Sequence, residues 1–588
     1  MKRLANAEIA KILTQIRTLM EFAGEPFFKF MAYERAAETL ENAPPVAELV
    51  ASGGLEKLPG VGKTIAGRII EICTTGTCAY LAELQDRYPL SLVELLGVAG
   101  VGMKTAQQLY GTLGIASLAD LERALAEGRL DGLPRLGPKS IENIRRGALA
   151  YKGRQRRTPL GQAVPIAREI VAYLAERTAA ADLAPAGSVR RQEPTVGDID
   201  ILCTSADPAA VIAAFTRWER AEAVLAQGET KASIWLAGGL QIDLRVLPAH
   251  LYGNLLQHFT GSREHNIQLR ELAVRKNLRV SENGIVDLTD GTTTTCRSEH
   301  EVYARLGLPY IPPELRLGIG EIEAALADSL PSLVDIGDLR GDFHMHCTWS
   351  DGRSTLEAMI AAAAARGYAY HSVSDHSWGR GGMGLSPDAL CAQRERLHAI
   401  ADTYRVRTLR SSEVDILPDG MLDFDDAVLA DLDIVVASVH SALNISRDDM
   451  TRRLVRACEN PYVNIIGHPT GRNIETFPGY EFDYDAVFAA AARTGTALEI
   501  DGQPNRLDLP SPLARRAREF GVTFTCDSDA HGAEQLSNIA YAVGQARRAW
   551  LQPSDILNTR DIAGVLAFVN AKRARAHDAD VSRRSVPR

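Results

Sequence analysis

The eight cysteines of this chain form no C-x-x-C pair, which points away from a disulfide framework and toward reduced thiols, mostly core residues, in a cytoplasmic protein. No stretch approaches the roughly 18 apolar residues of a membrane span, so no membrane partner is expected. Met1-Lys2-Arg3 leads into mixed helical sequence without the apolar region of a secretory signal. Positive charge is not in excess either. The net charge of −9 excludes a uniformly basic nucleic-acid binder and leaves any DNA contact to local patches. One such patch is Arg135, Lys139, Arg145, Arg146, Lys152, Arg154, Arg156 and Arg157 against the single acid Glu142; a solvated helix face would mix signs, so this segment is read as contacting phosphates. A single core is excluded by the length of 588 residues, which implies about three to five domains. The Arg-rich tail, 576–588, is expected to be disordered.

What is present, in mid-chain, is a set of three carboxylates. Asp198 and Asp200 stand two apart in Gly197-Asp198-Ile199-Asp200, and Asp243 lies in Gln241-Ile242-Asp243-Leu244-Arg245. Residues two apart on a strand share a face, and Asp243 on a neighbouring strand closes the cluster. Two Mg²⁺ held about 3.5–4 Å apart by such a cluster stabilise the attacking and leaving oxygens of an in-line displacement. Asp-x-Asp alone is a weak signal that recurs in surface loops. Here Gly187-Ser188, upstream, offers backbone N–H groups and a hydroxyl to a triphosphate, and Arg190 and Arg191 supply forks suited to phosphate oxygens. A buried strand with two solvated aspartates would leave the Gly-Ser turn and the paired arginines unexplained.

The first third repeats one unit. Leu58-Pro59-Gly60-Val61-Gly62-Lys63 and Val98-Ala99-Gly100-Val101-Gly102-Met103-Lys104 both place a Gly-hydrophobic-Gly turn before an amphipathic helix, and Leu133-Pro134-Arg135-Leu136-Gly137-Pro138-Lys139 is a degraded third copy. The glycines permit positive φ and close backbone approach, and the first-turn N–H groups face an anion. One copy is equally an ordinary turn between packed helices; two favour DNA. The unit resembles the helix-hairpin-helix, which grips the DNA backbone without reading sequence. Gly60, Gly62, Lys63, Gly100, Gly102 and Lys104 are the candidate DNA contacts. Ile9, Ile12, Ile16 and Leu19, and Ile65, Ile69 and Ile72, keep helical spacing.

Near Asp338 the sequence changes character. Short apolar runs alternate with Ala-rich helices, and the runs end in His344 and His346, His376, Glu413, His440, His468, and Asp529 with His531; Asp351 completes the set. Strands alternating with helices imply a parallel sheet, and an α/β barrel carries its active site at strand C-terminal ends. Any one of these histidines is more often a satisfied core or surface residue, but this many at strand tips indicates Zn²⁺ or Mn²⁺.

Taken together, the hairpins, Gly187-Ser188, Asp198-x-Asp200, Asp243 and His258-Phe259-Thr260-Gly261-Ser262 resemble a family X DNA polymerase of the polymerase-beta type over about residues 1–317, and the rest resembles a PHP (polymerase and histidinol phosphatase) domain over about 338–575. The first resemblance implies that Asp198, Asp200 and Asp243 hold two Mg²⁺, that Gly187, Ser188, Arg191 and Gly197 meet the triphosphate with help from Arg157, that His258, Phe259 and Gly261 lie against the sugar, and that Asn266 and Arg270 touch the nascent pair and template. His258 departs from the family's Tyr. Arg68 stands where lyase-competent relatives carry a Schiff-base Lys; a guanidinium is a poor amine nucleophile, so lyase activity is not carried over. The second resemblance implies up to three ions, one among His344, His346, Glu413 and Asp529, one among Asp351, His376 and His531, and one among Glu413, His440 and His468.

The expectation is a multidomain α+β protein with a helical helix-hairpin-helix N-terminal region, a nucleotidyltransferase-type palm with thumb, and a C-terminal distorted TIM-like barrel. The expected divisions are 1–85 and 86–158 (one hairpin each), 159–250 (palm), 251–317 (thumb), 318–337 (linker), 338–575 (PHP) and 576–588 (tail). The implied activity is short-gap filling in base-excision repair with 3′→5′ nucleotide removal, acting as a monomer on gapped or nicked DNA and deoxynucleoside triphosphates. The alternatives are a phosphatase or abasic-site endonuclease whose polymerase half only binds DNA, and a non-catalytic end-bridging scaffold.

Overall fold

The computed structural model describes residues 6–584 other than 42, 44, 45, 52, 99, 156, 380–383 and 401–402. The chain divides into two compact units, Met1–Arg156 with Trp235–Gln241, and Arg157–Ile234 with Ile242–Arg588. No described helix is long and apolar enough to cross a membrane.

The first unit is helical. Its first core joins helices Asn6–Phe22, Phe27–Glu41, Lys63–Thr75 and Ala79–Arg87 through Ile9, Leu13, Ile16, Leu19, Ile65, Ile69, Ile72 and Leu81, so the 3.6-residue apolar period did fall on buried faces. A second core joins Met103–Leu113, Leu118–Ala126 and Pro138–Gln155 through Val101, Ala106, Leu109, Leu121 and Ile144.

The second unit begins with a five-stranded sheet in the spatial order Ala181–Pro185, Asp198–Thr204, Leu240–Leu247, Lys231–Leu236, Ala221–Gln227. Helix Leu160–Arg177 buries Ala163, Ala167, Ile170 and Leu174, one apolar stripe. Next come helices Tyr252–Thr260 and Arg263–Arg275 and a three-stranded antiparallel sheet. Their core contains Leu269, Leu278, Ile285, Tyr303 and Leu315, and also Ile322, Ala325 and Trp550. Residues 318–337, expected as a linker, are therefore not a spacer. Helix Glu321–Leu326 supplies two of those core residues, and buried Glu321 pairs with buried His265 at 2.7 Å. Six residues are too few for a helical period to show in sequence.

The C-terminal part is a nearly closed barrel of seven parallel strands in sequence order: Gly341–Asp342, Tyr370–Val373, Arg407–Asp415, Ile434–Ser438, Ile465–Ile466, Ala497–Asp501 and Phe524–Asp527. Every residue of Ile434–Ser438 is buried, as expected for a strand covered on both faces. The first and last strands converge, with Met345 bridged in parallel to Ala530. The last helix runs from Ile562 to Arg584 and so enters the segment expected as a tail, with no Gly or Pro in that segment before Pro587 to end it. Residues 585–588 lie outside the described residues.

Candidate active sites

Asp198 and Asp200 lie on one strand and Asp243 on its neighbour. Burial, then the charges of Asp198 and Asp243, push the Asp200 carboxyl up to about 7. That is the signature of acids crowded without enough positive charge, which Arg245 and Arg191 only partly supply, and it fits a site for cations. Asp243 accepts a hydrogen bond from Ser233.

Gly187-Ser188-Val189-Arg190 is a short helical turn behind this cluster. Gly187 takes φ +57°, and a Cβ there would sit 2.4 Å from Asp200 Oδ2, so the turn approaches the acids as closely as it does only with glycine. Gly197 immediately precedes the strand that carries Asp198 and Asp200, and Ser188 is the second residue of the turn. Arg191 is partly buried and donates to the Thr260 carbonyl at 2.5 Å, while its Nε makes no hydrogen bond. Arg190 corrects the sequence reading. It forms a bidentate pair with Glu299 at 2.9 and 2.6 Å and is spent on structure. Burial alone would raise Glu299, but Arg316 and Arg190 outweigh it and hold the carboxyl at about 2. Arg157 is likewise engaged, donating to Thr195 Oγ1 at 2.7 Å.

The Phe259-Thr260-Gly261-Ser262 turn joins two helices, with Gly261 at φ +68° and Ser262 capping the second through His265 N. Arg245 lies 4.3 Å over the Phe259 ring. Burial pushes the His258 imidazole down despite Glu282 nearby. Asn266 is buried and turned inward, donating to the His258 carbonyl at 2.8 Å and accepting from Gln257 at 2.8 Å. Arg270 is exposed and donates to the Asn266 carbonyl.

In the helical unit the two hairpin turns share one geometry. Gly60 and Gly100 hold φ +79° and +92°, Val61 and Val101 are buried, and Gly62 and Gly102 cap helices with nothing within 4 Å of the point a Cβ would occupy. Lys63 and Lys104 are exposed beside them. In the degraded copy Arg135 itself takes the left-handed position, φ 67°. The side chains of Arg146, Lys152, Arg154 and Arg156 in the basic segment lie outside the described residues. Arg68 is packed over Tyr80 at 3.6 Å and Tyr33 at 5.3 Å, a cation held between rings rather than presented as a nucleophile.

At the barrel mouth all nine candidate ligands converge. Glu413 is the hub: His376 Nδ1 and His468 Nε2 lie 2.8 Å away, His440 at 3.3 Å, His344 at 3.4 Å and His346 at 3.5 Å. Asp529 is 3.3 Å from His346 and 3.5 Å from His344. Asp351 is 3.3 Å from His376 and 3.4 Å from His531. The groups whose ligand atoms approach one another closely enough for one ion are His346, Asp351, His376 and His531; His344, His346 and Asp529; and His376, Glu413 and His440. His346 and His376 thus each stand in two groups, and His468 reaches the cluster through Glu413. His344 Nε2 and both ring nitrogens of His346 are buried and make no hydrogen bond. Orphaned donors and acceptors of this kind fit cations. Burial, with His376 beside it, pushes His346 down to about 3, whereas Glu413 and Asp415 overcome burial and raise His440 to about 9. His468 and Asp529 hold φ 27° and 46°, strain of about 1 kcal/mol or more each that concentrates at sites where geometry matters.

Sequence reasoning missed the carboxylates behind these ligands. Glu499 accepts from His344 Nδ1 at 2.7 Å and from the His468 backbone N–H at 2.5 Å. Asp415 pairs with His440 Nδ1 at 2.6 Å. Glu499-Ile500-Asp501 repeats the acid-x-acid strand signal of Asp198-Ile199-Asp200 and was equally readable.

Over 567 residues, 96% of this chain and 99% of the relative, the sequence is 38% identical to the DNA polymerase/3′-5′ exonuclease PolX of Bacillus subtilis. The chain belongs to the PolX family. Residues 255–317 of this PolX-family chain match the DNA polymerase beta thumb, 4–78 a helix-hairpin-helix domain and 92–148 a SAM-like helix-hairpin-helix tandem. DNA polymerase lambda of Arabidopsis thaliana is 27% identical over 345 residues, 53% of this chain and 62% of that protein. A probable phosphatase of Syntrophotalea carbinolica is 29% identical over 239 residues, 39% of this chain and 95% of that protein. Both halves of a PolX chain thus fall in metal-dependent enzyme families.

Proposed function

We propose that this protein is a DNA-directed DNA polymerase that fills short gaps, with a 3′→5′ exonuclease in its barrel, and that it serves base-excision repair as a cytoplasmic monomer acting on gapped or nicked DNA and deoxynucleoside triphosphates. The observation that carries the reading is the presence, in one chain, of a strand-borne three-aspartate cluster behind a glycine turn and a separate nine-residue His/Asp/Glu cluster at a barrel mouth.

Asp198, Asp200 and Asp243 would hold two Mg²⁺, and the nine barrel residues up to three Mn²⁺ or Zn²⁺. Such ions supply charge stabilisation at phosphate oxygens and lower the pKa of a reacting hydroxyl or water. The protein's share is orientation. Gly187 brings the turn's backbone against Asp200, and Ser188 offers its hydroxyl to the triphosphate. Arg191, anchored on Thr260, directs its guanidinium toward the same place, and a Cβ on Gly261 would come 3.0 Å from its Nη1. In the barrel, Glu499 and Asp415 accept from the Nδ1 atoms of His344 and His440, which turns Nε2 of each toward Glu413.

The test is primer extension and 3′ degradation on a one-nucleotide gap. Asp243→Asn should abolish nucleotide addition and leave degradation; His344→Ala should cut degradation by orders of magnitude and leave gap filling. Normal extension by Asp243→Asn would return the palm to DNA binding alone, leaving the barrel as a phosphatase or endonuclease. Wild-type protein lacking both activities would favour the scaffold.

A further inference from the structure

The short helix Gly187–Arg190 ends at a buried seam with the barrel. Within the turn, Arg190 N–H donates to the Ala186 carbonyl, Arg191 to Gly187, Gln192 to Val189 and Glu193 to Ser188. The carbonyls of Arg191 and Gln192 are left over, as the last carbonyls of any helical turn are. Helix Ile539–Arg548 of the barrel domain takes both. Arg548 Nη1 donates to the Arg191 carbonyl at 2.5 Å and Gln545 Nε2 to the Gln192 carbonyl at 2.8 Å. Gln545 and Arg548 are both buried. Arg548 Nη2 also donates to Glu193 at 2.8 Å, and the same carboxylate stands 3.7 Å from Arg191. Gln192 holds φ +56° on this seam, and Gly544 gives it room: a Cβ there would come 2.8 Å from Gln192 Oε1.

We propose that the barrel domain completes the polymerase's nucleotide site: Arg548 and Gln545 are positioning residues that hold the Arg191 backbone in register, so affinity for the incoming triphosphate depends on a helix of the nuclease domain. This rests on the reading of Arg191 as a triphosphate ligand. Glu193 lies between two guanidiniums. With Arg548 in place the carboxylate is shared and the Arg191 carbonyl is capped. Without it, Glu193 turns its full charge on Arg191, a buried carbonyl loses a charged donor, and the guanidinium is drawn away from Thr260 and from the palm acids.

The experiment is steady-state gap filling by full-length protein, with the apparent KM for deoxynucleoside triphosphate and kcat measured separately and 3′ degradation measured on the same preparations. Arg548→Ala should raise KM about tenfold, the scale of one charge-assisted hydrogen bond, with kcat and degradation nearly unchanged. Arg548→Lys, whose single ammonium still reaches Glu193, should recover much of the loss. Gly544→Ala removes no buried charge but pushes on Gln192, and should raise KM in the same direction if Arg548→Ala folds poorly. Arg191→Ala is the control. If it raises KM while Arg548→Ala and Gly544→Ala do not, the positioning role is overturned; if Arg191→Ala itself leaves KM unchanged, it is the nucleotide-site reading that fails.

Discussion

Gly187→Ala is the sharpest test of the palm, because it adds one methyl group at a place where the distances are known. The new Cβ would lie 2.4 Å from Asp200 Oδ2, against an ordinary carbon–oxygen separation of about 3.3 Å, so the carboxylate or the turn must retreat by about 0.9 Å. Either shift disturbs the cluster, because the clash is with Oδ2 itself and the carboxylate can give way only by turning from its place beside Asp198 and Asp243. Asp200 sits on a central strand, and the turn is held from behind by Arg548 and Gln545. The left-handed φ of residue 187 adds about 1–2 kcal/mol of strain for any residue with a Cβ, enough to lower the melting temperature by a few degrees but not to unfold the barrel. A misplacement near 1 Å in a catalytic constellation costs on the order of 100-fold in rate, or about 2.7 kcal/mol in the barrier. Single-turnover insertion into a one-nucleotide gap at saturating triphosphate measures this directly, with 3′ degradation as the internal control. Insertion within about threefold of wild type would refute the argument that Gly187 exists to admit Asp200. Parallel loss of both activities would show a folding defect instead.

Glu499→Gln should weaken Mn²⁺ binding to the barrel by about 10–100-fold, since an amide cannot accept from both His344 Nδ1 and the His468 N–H, and the ring of His344 then loses its fixed tautomer; calorimetric titration that matched wild type would contradict this. Lys572 tests the barrel's far side. It is buried, donates to the Cys458 carbonyl at 2.9 Å, and burial pushes its ammonium down to about 7. Between pH 7 and about 10 the unfolded chain therefore keeps a proton that the folded chain has released, and stability rises with pH by up to about 1.4 kcal/mol per unit. Denaturant titrations of wild type against Lys572→Met should show this slope in the difference, and a flat difference would place the charged ammonium in the folded state.

Much of the site was legible because its signals are local. Asp198-x-Asp200 needs only the two-residue period of a strand, the hairpins only a glycine that tolerates positive φ, and the histidines only their recurrence after apolar runs. Arg135 in the third hairpin shows the limit of such reading: the turn geometry persisted without its glycine. Arg190 and Arg191 show it again. In sequence they are identical neighbours, and both read as phosphate forks. In the fold Arg190 is neutralised by Glu299, more than a hundred residues away, while Arg191 keeps an unpaired Nε beside the acids.

The sequence by itself determined which chemistries the chain carries, because a metal site or a phosphate turn is specified by residue type at short spacing. Only the tertiary structure decided which cations remain available, that Ile322 and Ala325 pack into the core that contains Leu269 and Leu315, that Glu499 stands behind His344, and that a barrel helix reaches the Gly187–Arg190 turn. The physical reason is that a buried polar group must be satisfied by whatever partner the fold delivers to it. That partner comes from a distant segment brought close by apolar burial, and no local period encodes its identity.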